Sequence, residues 1–267
     1  MPGSDNDITA SPHPSSENIA LVSVENVSKR FGTRPAVSNV SFNVSGGTIL
    51  GLVGSDGAGK TTLLRMMATM LTPSAGDIFI NGFHVIRQKR HVKSLIGYMP
   101  QRFGLYPDLT VAENLDFFMD IFGIAGAERK ERRTYYLGFS NLTPFASRLT
   151  RDLSGGMKQK LGLACVLVHH PDVLILDEPT NGVDPVSRRE FWEILADMRR
   201  QGMTIVVSTA YLDEGEKCDR LILMHQAEIL ANAAPATLRA DFPDLETAMI
   251  HRIREADKTL ADEQFNL

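Results

Sequence analysis

The chain has 267 residues and a mass of 29.5 kDa, which suits one large domain with a subdomain better than two domains. Its 28 Lys and Arg residues against 32 Asp and Glu residues give a net charge of −4, so we expect no nucleic-acid partner. The 43% of hydrophobic residues excludes disorder for the bulk of the chain, and no apolar run reaches the roughly 20 residues that span a bilayer.

The N-terminal region predicts a tail followed by a small antiparallel sheet. Residues 1–18 combine acids, Pro and Ser, which indicates a flexible tail and not a signal peptide. Residues 21–27 alternate apolar and polar side chains, as a half-buried strand does. Residues 37–44 supply the antiparallel neighbour of that strand.

A glycine-rich turn joins the next strand to the next helix. A continuous apolar run at residues 48–53 predicts a buried strand. Apolar side chains at helical spacing predict a helix over residues 61–71, which Pro73 and Gly76 end. Residues 54–61 lie between the two and fit the phosphate-binding pattern G-x-x-x-x-G-K-[ST], the P-loop.

The chemistry of phosphate binding explains why the P-loop contains these residue types. Glycines let backbone N–H groups wrap around phosphates, and the helix N-terminus adds the positive end of its dipole. Lys60 is expected to reach the outer phosphates and Thr61 to ligate Mg²⁺. An accidental glycine turn is the competing interpretation, and the strand before it and the helix after it disfavour that. The predicted nucleotide-binding residues here are Gly54, Ser55, Asp56, Gly57, Ala58, Gly59, Lys60, Thr61 and Thr62.

The middle of the chain predicts helices without strands. Residues 111–122 and 128–138 have helical patterns, and no strong strand signal appears between about residues 103 and 152. We therefore expect a helical subdomain at about residues 103–165.

The alternation of strands and helices then resumes, which predicts an α/β fold with a mixed or parallel core sheet. A helix at residues 185–200 is marked by Pro185 in its first turn and by Gly202 after its end. The other predicted elements are helices at residues 155–169 and 211–217, strands at residues 173–176, 203–207, 220–224 and 228–231, and a helical extension over residues 233–267.

Two adjacent acids follow the strand at residues 173–176. The ends of such strands are the usual location of ligand sites in α/β sheets. Asp177 is predicted to hold Mg²⁺, directly or through water, and Glu178 to act as general base on the attacking water. A solvated Asp-Glu pair is the competing interpretation, which the P-loop upstream disfavours.

A second glycine-rich helix start has the sequence LSGGMKQK, residues 153–160. By physics alone, Ser154 before two glycines is also an ordinary helix cap. The segment resembles the signature motif of ATP-binding cassette (ABC) transporter nucleotide-binding domains, and the resemblance extends over roughly residues 21–232. Phe31 matches the family's adenine-stacking aromatic residue, Gln101 its Q-loop glutamine, and Asp184 its D-loop aspartate. Taken singly, these would be a core aromatic residue, a surface amide and a turn aspartate.

The resemblance implies an ABC-type P-loop ATPase domain over residues 19–232, with ATP and Mg²⁺ as cofactors. In the family, two domains form a head-to-tail dimer, and Ser154, Gly155 and Gly156 would contact the nucleotide on the partner's P-loop. Gln101 would act in catalysis and join Thr61 and Asp177 at the metal, and Asp184 would make a dimer contact. Residues 102–107 resemble the surface that receives an integral-membrane permease subunit.

The nearest branch by resemblance is that of drug-export ATPases, particularly the first half of tandem-domain multidrug efflux ATPases. The chain is therefore expected to be cytoplasmic, peripheral on the inner face of the cell membrane, and to power a separate permease.

The chain departs from the family pattern at its switch histidine, where it has Ala210. The P-loop also has Ser55-Asp56 in place of the commoner Pro-Asn. Losing one positioned catalytic group typically costs about 10²- to 10³-fold in rate, so this chain's own site is expected to hydrolyse ATP slowly. The second domain is then either another copy or a histidine-bearing heteropartner. The alternatives are a plain homodimer in which Glu178 suffices, and a non-transport or regulatory ABC-family protein.

Overall fold

The computed structural model describes residues 20–265, with side chains to residue 258. The N-terminal part of this range forms a four-stranded antiparallel sheet. Strand β1 (Ala20–Phe31) pairs with β2 (Arg34–Ser45), which confirms the predicted hairpin. Strands β4 (Ala75–Ile80) and β5 (Phe83–His84) complete the sheet in the order β2-β1-β4-β5. The predicted tail at residues 1–18 lies outside the described residues.

A six-stranded mixed sheet forms the centre of the molecule. Its strand order is β10-β9-β3-β8-β7-β6, in which only the β9–β10 pair is antiparallel. The predicted α/β alternation is thereby confirmed. The strands are β3 (Ile49–Gly54), β6 (Ile96–Met99), β7 (Val173–Asp177), β8 (Thr204–Ser208), β9 (Arg220–His225) and β10 (Glu228–Ala233).

Apolar side chains cover both faces of this sheet. In β7, Val173 and Ile175 belong to the cluster shared with the antiparallel sheet and with α1 (Lys60–Met67). Leu174 and Leu176 point to the opposite cluster, which includes residues of the helices. Burial on two faces explains why the sequence of β7 is continuously apolar. The helices after α1 are α2 (Lys89–Leu95), α3 (Val111–Ile121), α4 (Gly126–Phe139), α5 (Gly155–Leu167), α6 (Pro185–Arg200), α7 (Leu212–Gly215), α8 (Pro235–Arg239) and α9 (Leu245–Phe265).

Three helices, α1, α5 and α7, are shorter than predicted. Helix α1 ends at Met67 and not at residue 71, because Thr69 has a left-handed φ of 62°. Helix α5 ends two residues before the predicted position, and His170 beyond it has a φ of 55°. Helix α7 is shorter than predicted by one residue at its start and two at its end.

The middle segment is helical, as predicted. Between residues 103 and 152 the described chain forms α3, α4, two short 3₁₀ turns (Thr143–Phe145 and Thr150–Asp152) and one isolated bridge between Thr110 and Leu149. Thr110 and Glu113 make a reciprocal capping box that starts α3. At the other end of the chain, α9 begins with buried Leu245. Among the described residues, no helix is both long and apolar enough to cross a membrane.

Candidate functional site

The P-loop connects β3 to α1 at the carboxyl edge of the central sheet. Gly59 has a φ of 109°, and a Cβ atom there would lie 2.3 Å from the Ala36 carbonyl oxygen, so only glycine fits. Lys60, 5% exposed, donates from Nζ to the carbonyl oxygens of Gly54 at 2.7 Å and Ser55 at 3.1 Å. The loop therefore presents a lysine charge and the start of a helix in one place, as an anion site requires. Within it, Ser55, Asp56 and Gly57 are exposed, Ala58 is buried, and Thr61 and Thr62 are half-buried.

Phe31 lies at the tip of the β1–β2 hairpin. The hairpin reaches the loop where Ala36 contacts Gly59. Phe31 is 55% exposed, so it is not a core aromatic residue. Lys29 Nζ lies 5.3 Å from its ring centroid. An exposed ring on a hairpin that contacts the phosphate-binding loop is available to stack on a base.

Asp177 brings the P-loop helix and strands β7 and β8 together. Its Oδ1 accepts from Thr61 Oγ1 at 2.9 Å and from Ser208 Oγ at 2.8 Å. Its Oδ2 is buried and has no hydrogen-bond partner among the described residues. An unpaired buried carboxylate oxygen is costly, and carboxylate and hydroxyl oxygens are the ligands that Mg²⁺ prefers. The residues present therefore fit a magnesium ion.

Glu178 lies directly beyond Asp177 and has a left-handed φ of 49°. Its backbone N–H donates to Ser208, at 3.0 Å to Oγ and 3.2 Å to the carbonyl oxygen. Its Oε2 accepts from Gln101 Nε2 at 2.9 Å and from Asn181 Nδ2 at 3.1 Å. A non-glycine residue in this conformation is held by its surroundings, and such residues cluster at active sites.

Strand register explains why Gln101 reaches Glu178. Strands β6 and β7 are parallel neighbours in which Met99 pairs with Leu176. Gln101 and Glu178 each follow two residues later and so lie side by side. The predicted site residues Thr61, Gln101, Asp177 and Glu178 are thus joined by hydrogen bonds through Asp177 and Glu178. The sequence analysis did not predict the contact between Asn181 and Glu178. The sequence did contain a signal for it, because Asn181 lies three residues after Glu178 and Pro179 between them favours a turn.

The comparisons with known proteins identify the family of the chain. The ABC transporter family model matches residues 37–181. The "Nod factor export ATP-binding protein I" of Burkholderia orbicola is 40% identical over 222 residues, which cover 83% of this chain and 73% of the relative. The chain belongs to the ABC transporter family.

Two further similar proteins are connected with ATP, one by its name and the other by its bound nucleotide. The "Probable multidrug ABC transporter ATP-binding protein YbhF" of Escherichia coli K12 is 47% identical over 223 residues, and the match spans 83% of this chain but 39% of that protein. The dimeric ATP-binding cassette MJ0796, solved in a post-hydrolysis state with ADP and Pi, superposes with a TM-score of 0.72 at 26% identity, covering 80% of this chain and 98% of that one.

The segment predicted to be the signature motif begins α5, where Ser154 Oγ accepts from the Met157 N–H at 3.3 Å. Gly156 is buried, and a Cβ atom there would lie 2.3 Å from Ser187 Cβ in α6. Gly155 is exposed, and no described atom lies within 4 Å of the position of its Cβ. Packing within the chain therefore requires glycine at position 156 and leaves position 155 open.

Asp184, which the resemblance predicts to be the D-loop aspartate, caps α6. Its Oδ1 accepts from the backbone N–H groups of Ser187 at 3.0 Å and Val186 at 3.1 Å. The hydrogen bonds from Ser187, followed by that from Val186, lower the pKa of Asp184. Helix capping alone is a sufficient reason for an aspartate at this position, and no partner cassette is needed to explain it. The dimer contact of Asp184 therefore remains a prediction.

The position predicted to correspond to the family's switch histidine follows β8. Ala210 is exposed there and brings only a methyl group. The adjoining Thr209 is buried and donates from Oγ1 to Oε2 of Glu214, whose Oε1 accepts from Thr180 Oγ1 at 2.8 Å. Glu214 is 0% exposed, so a buried carboxylate ties the loop after β7 to the loop after β8.

Proposed function

We propose that this chain is the ATP-binding and ATP-hydrolysing subunit of an ABC export transporter. The observation that carries the proposal is Asp177, one residue before Glu178: its Oδ1 accepts from Thr61, and its buried Oδ2 has no hydrogen-bond partner among the described residues. The names of the relatives, multidrug ABC transporter and Nod factor export, support the export branch. The chain works with a separate integral-membrane permease, from the cytoplasm and peripheral on the inner face of the cell membrane.

The chain's own residues divide the chemistry between them. Lys60 and the backbone N–H groups of the P-loop bind the phosphates, and Phe31 stacks on adenine. Thr61, Gln101 and Asp177 would hold Mg²⁺, which would neutralise phosphate charge when bound. Glu178 takes a proton from the attacking water. Both amides engage its Oε2, so its Oε1 accepts from neither of them.

A second cassette completes each site. We propose that Ser154, Gly155 and Gly156 contact the nucleotide on the partner's P-loop and that Asp184 lies at the dimer contact. The open surroundings of Gly155 support this, as does the dimeric relative with ADP and Pi. The second cassette is either another copy of this chain or a heteropartner with the switch histidine.

We also propose, from the presence of Ala210 at the predicted switch position, that this chain's own P-loop site hydrolyses ATP slowly. A methyl group neither donates a hydrogen bond to a γ-phosphate nor transfers a proton. The same observation favours one alternative function, a non-transport or regulatory ABC protein with little turnover. If Glu178 suffices, a plain homodimer hydrolyses ATP at the ordinary rate of the family.

We also propose the domain limits. Residues 19–232 form the cassette, with a helical subdomain at about residues 103–165, and residues 233–267 form a helical extension. The described part of the extension begins with α8 and α9.

Two substitutions test the proposed nucleotide site. We expect Lys60→Ala to abolish ATP binding in isothermal titration, because it removes the charge at the centre of the loop. We expect Asp177→Asn to keep Mg²⁺-free ATP binding and to lose the gain in affinity that Mg²⁺ gives. Tight ATP binding by Lys60→Ala would overturn the proposal.

A further inference from the structure

A β-turn places Asn181 over Glu178. The turn runs from Glu178 through Pro179 and Thr180 to Asn181, and the Asn181 N–H donates to the Glu178 carbonyl oxygen at 3.2 Å. Proline at the second position is typical of such turns, because its fixed φ suits the conformation there. The Asn181 side chain then returns to the Glu178 carboxylate at 3.1 Å. Because a carboxylate only accepts hydrogen bonds, the NH₂ group of Asn181 must face it.

The turn is fixed from the interior of the protein. Thr180, 1% exposed, donates to Oε1 of the buried Glu214 at 2.8 Å. Glu178 is held at its own N–H by Ser208. The turn cannot shift at Glu178 or at Thr180 without breaking a buried or partly buried hydrogen bond, so the backbone of Asn181 has a defined position relative to Glu178.

The two amides that contact Glu178 differ in how they are held. Gln101 is exposed in the segment after β6 and reaches Glu178 from another strand end. Asn181 belongs to the same four-residue turn as Glu178 and keeps its contact wherever the segment of Gln101 moves. Among the residues with described side chains, no Lys, Arg or His forms an ion pair with Glu178, so these amides are what orients its carboxylate.

We propose that Asn181 is a positioning residue that holds the Glu178 carboxylate in its orientation for hydrolysis at a site where Ala210 brings only a methyl group. The inference rests on the proposed function, because it takes Glu178 as the general base. Asn181 acts through Glu178 and touches neither nucleotide nor metal in this account.

The test is ATP hydrolysis by the full chain, measured as phosphate release and as single-turnover cleavage of labelled ATP so that slow hydrolysis is quantified. We expect Asn181→Ala to lower kcat about 10- to 100-fold, the usual effect of one hydrogen bond to a charged group. KM for ATP and the unfolding midpoint should stay at their wild-type values, because Asn181 is exposed. Asn181→Gln should recover part of the loss, since it keeps the amide.

Asn181→Asp is the sharpest variant. It is nearly isosteric but removes the donor and places a second carboxylate at about the 3.1 Å that now separates the amide from Glu178. Like charges at that distance repel, so kcat should fall further than in Asn181→Ala. The matched control is Asn43→Ala, an exposed asparagine of β2 seven residues beyond Ala36, which is about 23 Å along the strand. That control should leave kcat unchanged.

Failure of this inference is distinguishable from failure of the proposed function. If Glu178→Gln abolishes hydrolysis while Asn181→Ala and Asn181→Asp keep the wild-type kcat, the positioning role is overturned and the proposed function stands. The role is also overturned if the Asn181 variants lose kcat only in proportion to a fall in the unfolding midpoint. If Glu178→Gln hydrolyses ATP at the wild-type rate, the proposed function itself fails.

Discussion

Two neighbouring glycines at the start of α5 should differ in how much the same substitution, to alanine, lowers the stability of the fold. A Cβ atom at position 156 would lie 2.3 Å from Ser187 Cβ and 2.4 Å from Ser187 Oγ, whereas carbon atoms in contact prefer 3.5–4.0 Å. Gly156→Ala therefore forces α5 and α6 apart by about 1 Å. Overpacking of this kind costs about 1–3 kcal/mol of unfolding free energy. In a chain of this size each kcal/mol lowers the unfolding midpoint by roughly 2–4 °C.

Gly155→Ala is the matched control for folding, because no described atom lies within 4 Å of the new methyl group. Its unfolding free energy should stay within about 0.5 kcal/mol of wild type. Urea and thermal unfolding followed by circular dichroism measure both variants. Replacing Ser187 by glycine removes the atoms that the new Cβ would strike. The double variant should therefore be more stable than the sum of the two single effects predicts, by about 1 kcal/mol.

The packing argument is refuted if Gly156→Ala is as stable as Gly155→Ala, or if the Ser187→Gly background gives no recovery. The functional part of the prediction concerns Gly155 alone. Its variant should fold and bind ATP normally yet lose hydrolysis, because in the proposed dimer the methyl group would meet the partner's nucleotide. Normal hydrolysis by Gly155→Ala would contradict that use of the open position.

Three further predictions concern the switch position, the exposed ring and the α6 cap. Ala210→His should raise the kcat of the purified chain about 10²- to 10³-fold if the missing histidine limits hydrolysis, and an unchanged kcat in phosphate release would contradict slow hydrolysis. Phe31→Ala should weaken ATP binding in isothermal titration by about 1–3 kcal/mol, the usual value of stacking one base, while tripolyphosphate binding stays unchanged. An equal loss for both ligands would exclude stacking. The lowered pKa of Asp184 means that its cap stabilises the fold fully above the ordinary aspartate pKa of about 3.9 and is lost as the pH falls through the folded value. The stability difference between wild type and Asp184→Ala should therefore be constant from pH 7 to about pH 5 and shrink below pH 4 in urea unfolding, and a difference independent of pH would contradict the cap.

The sequence predicted those elements whose ends are marked by nearby residues, such as a helix cap, a proline or a glycine. Helix α6 begins at Pro185 and ends at Arg200 as predicted, because Asp184 caps it and Gly202 follows. Segment 75–99 was not predicted, although it contains β4, β5, α2 and β6. Strand β5 has two residues, and β4 depends on pairing with β1, some 50 residues earlier in the chain. Neither the short length nor the distant pairing leaves a local pattern.

The residues of the candidate site likewise fall into those that local sequence predicted and those whose contacts depend on distant segments. The P-loop, Asp177 and Glu178 were predictable because a motif and a buried strand place them. The contact of Gln101 with Glu178 depends on the parallel register of β6 and β7, and β6 was not predicted. The contact of Asn181 depends on a turn whose geometry is fixed by the buried Glu214, far along the chain. Such contacts between distant segments are set by tertiary structure, which sequence patterns do not encode locally.

Hydrolysis of Mg²⁺-ATP by Glu178→Gln, with ATP affinity measured on the same preparation, tests the role of the carboxylate most directly. We expect ATP to bind with the wild-type affinity and phosphate release to fall about 10²- to 10⁴-fold, because the substitution removes the general base and leaves the P-loop intact. Phosphate release at the wild-type rate, with ATP bound, would contradict the central claim that this carboxylate drives the reaction.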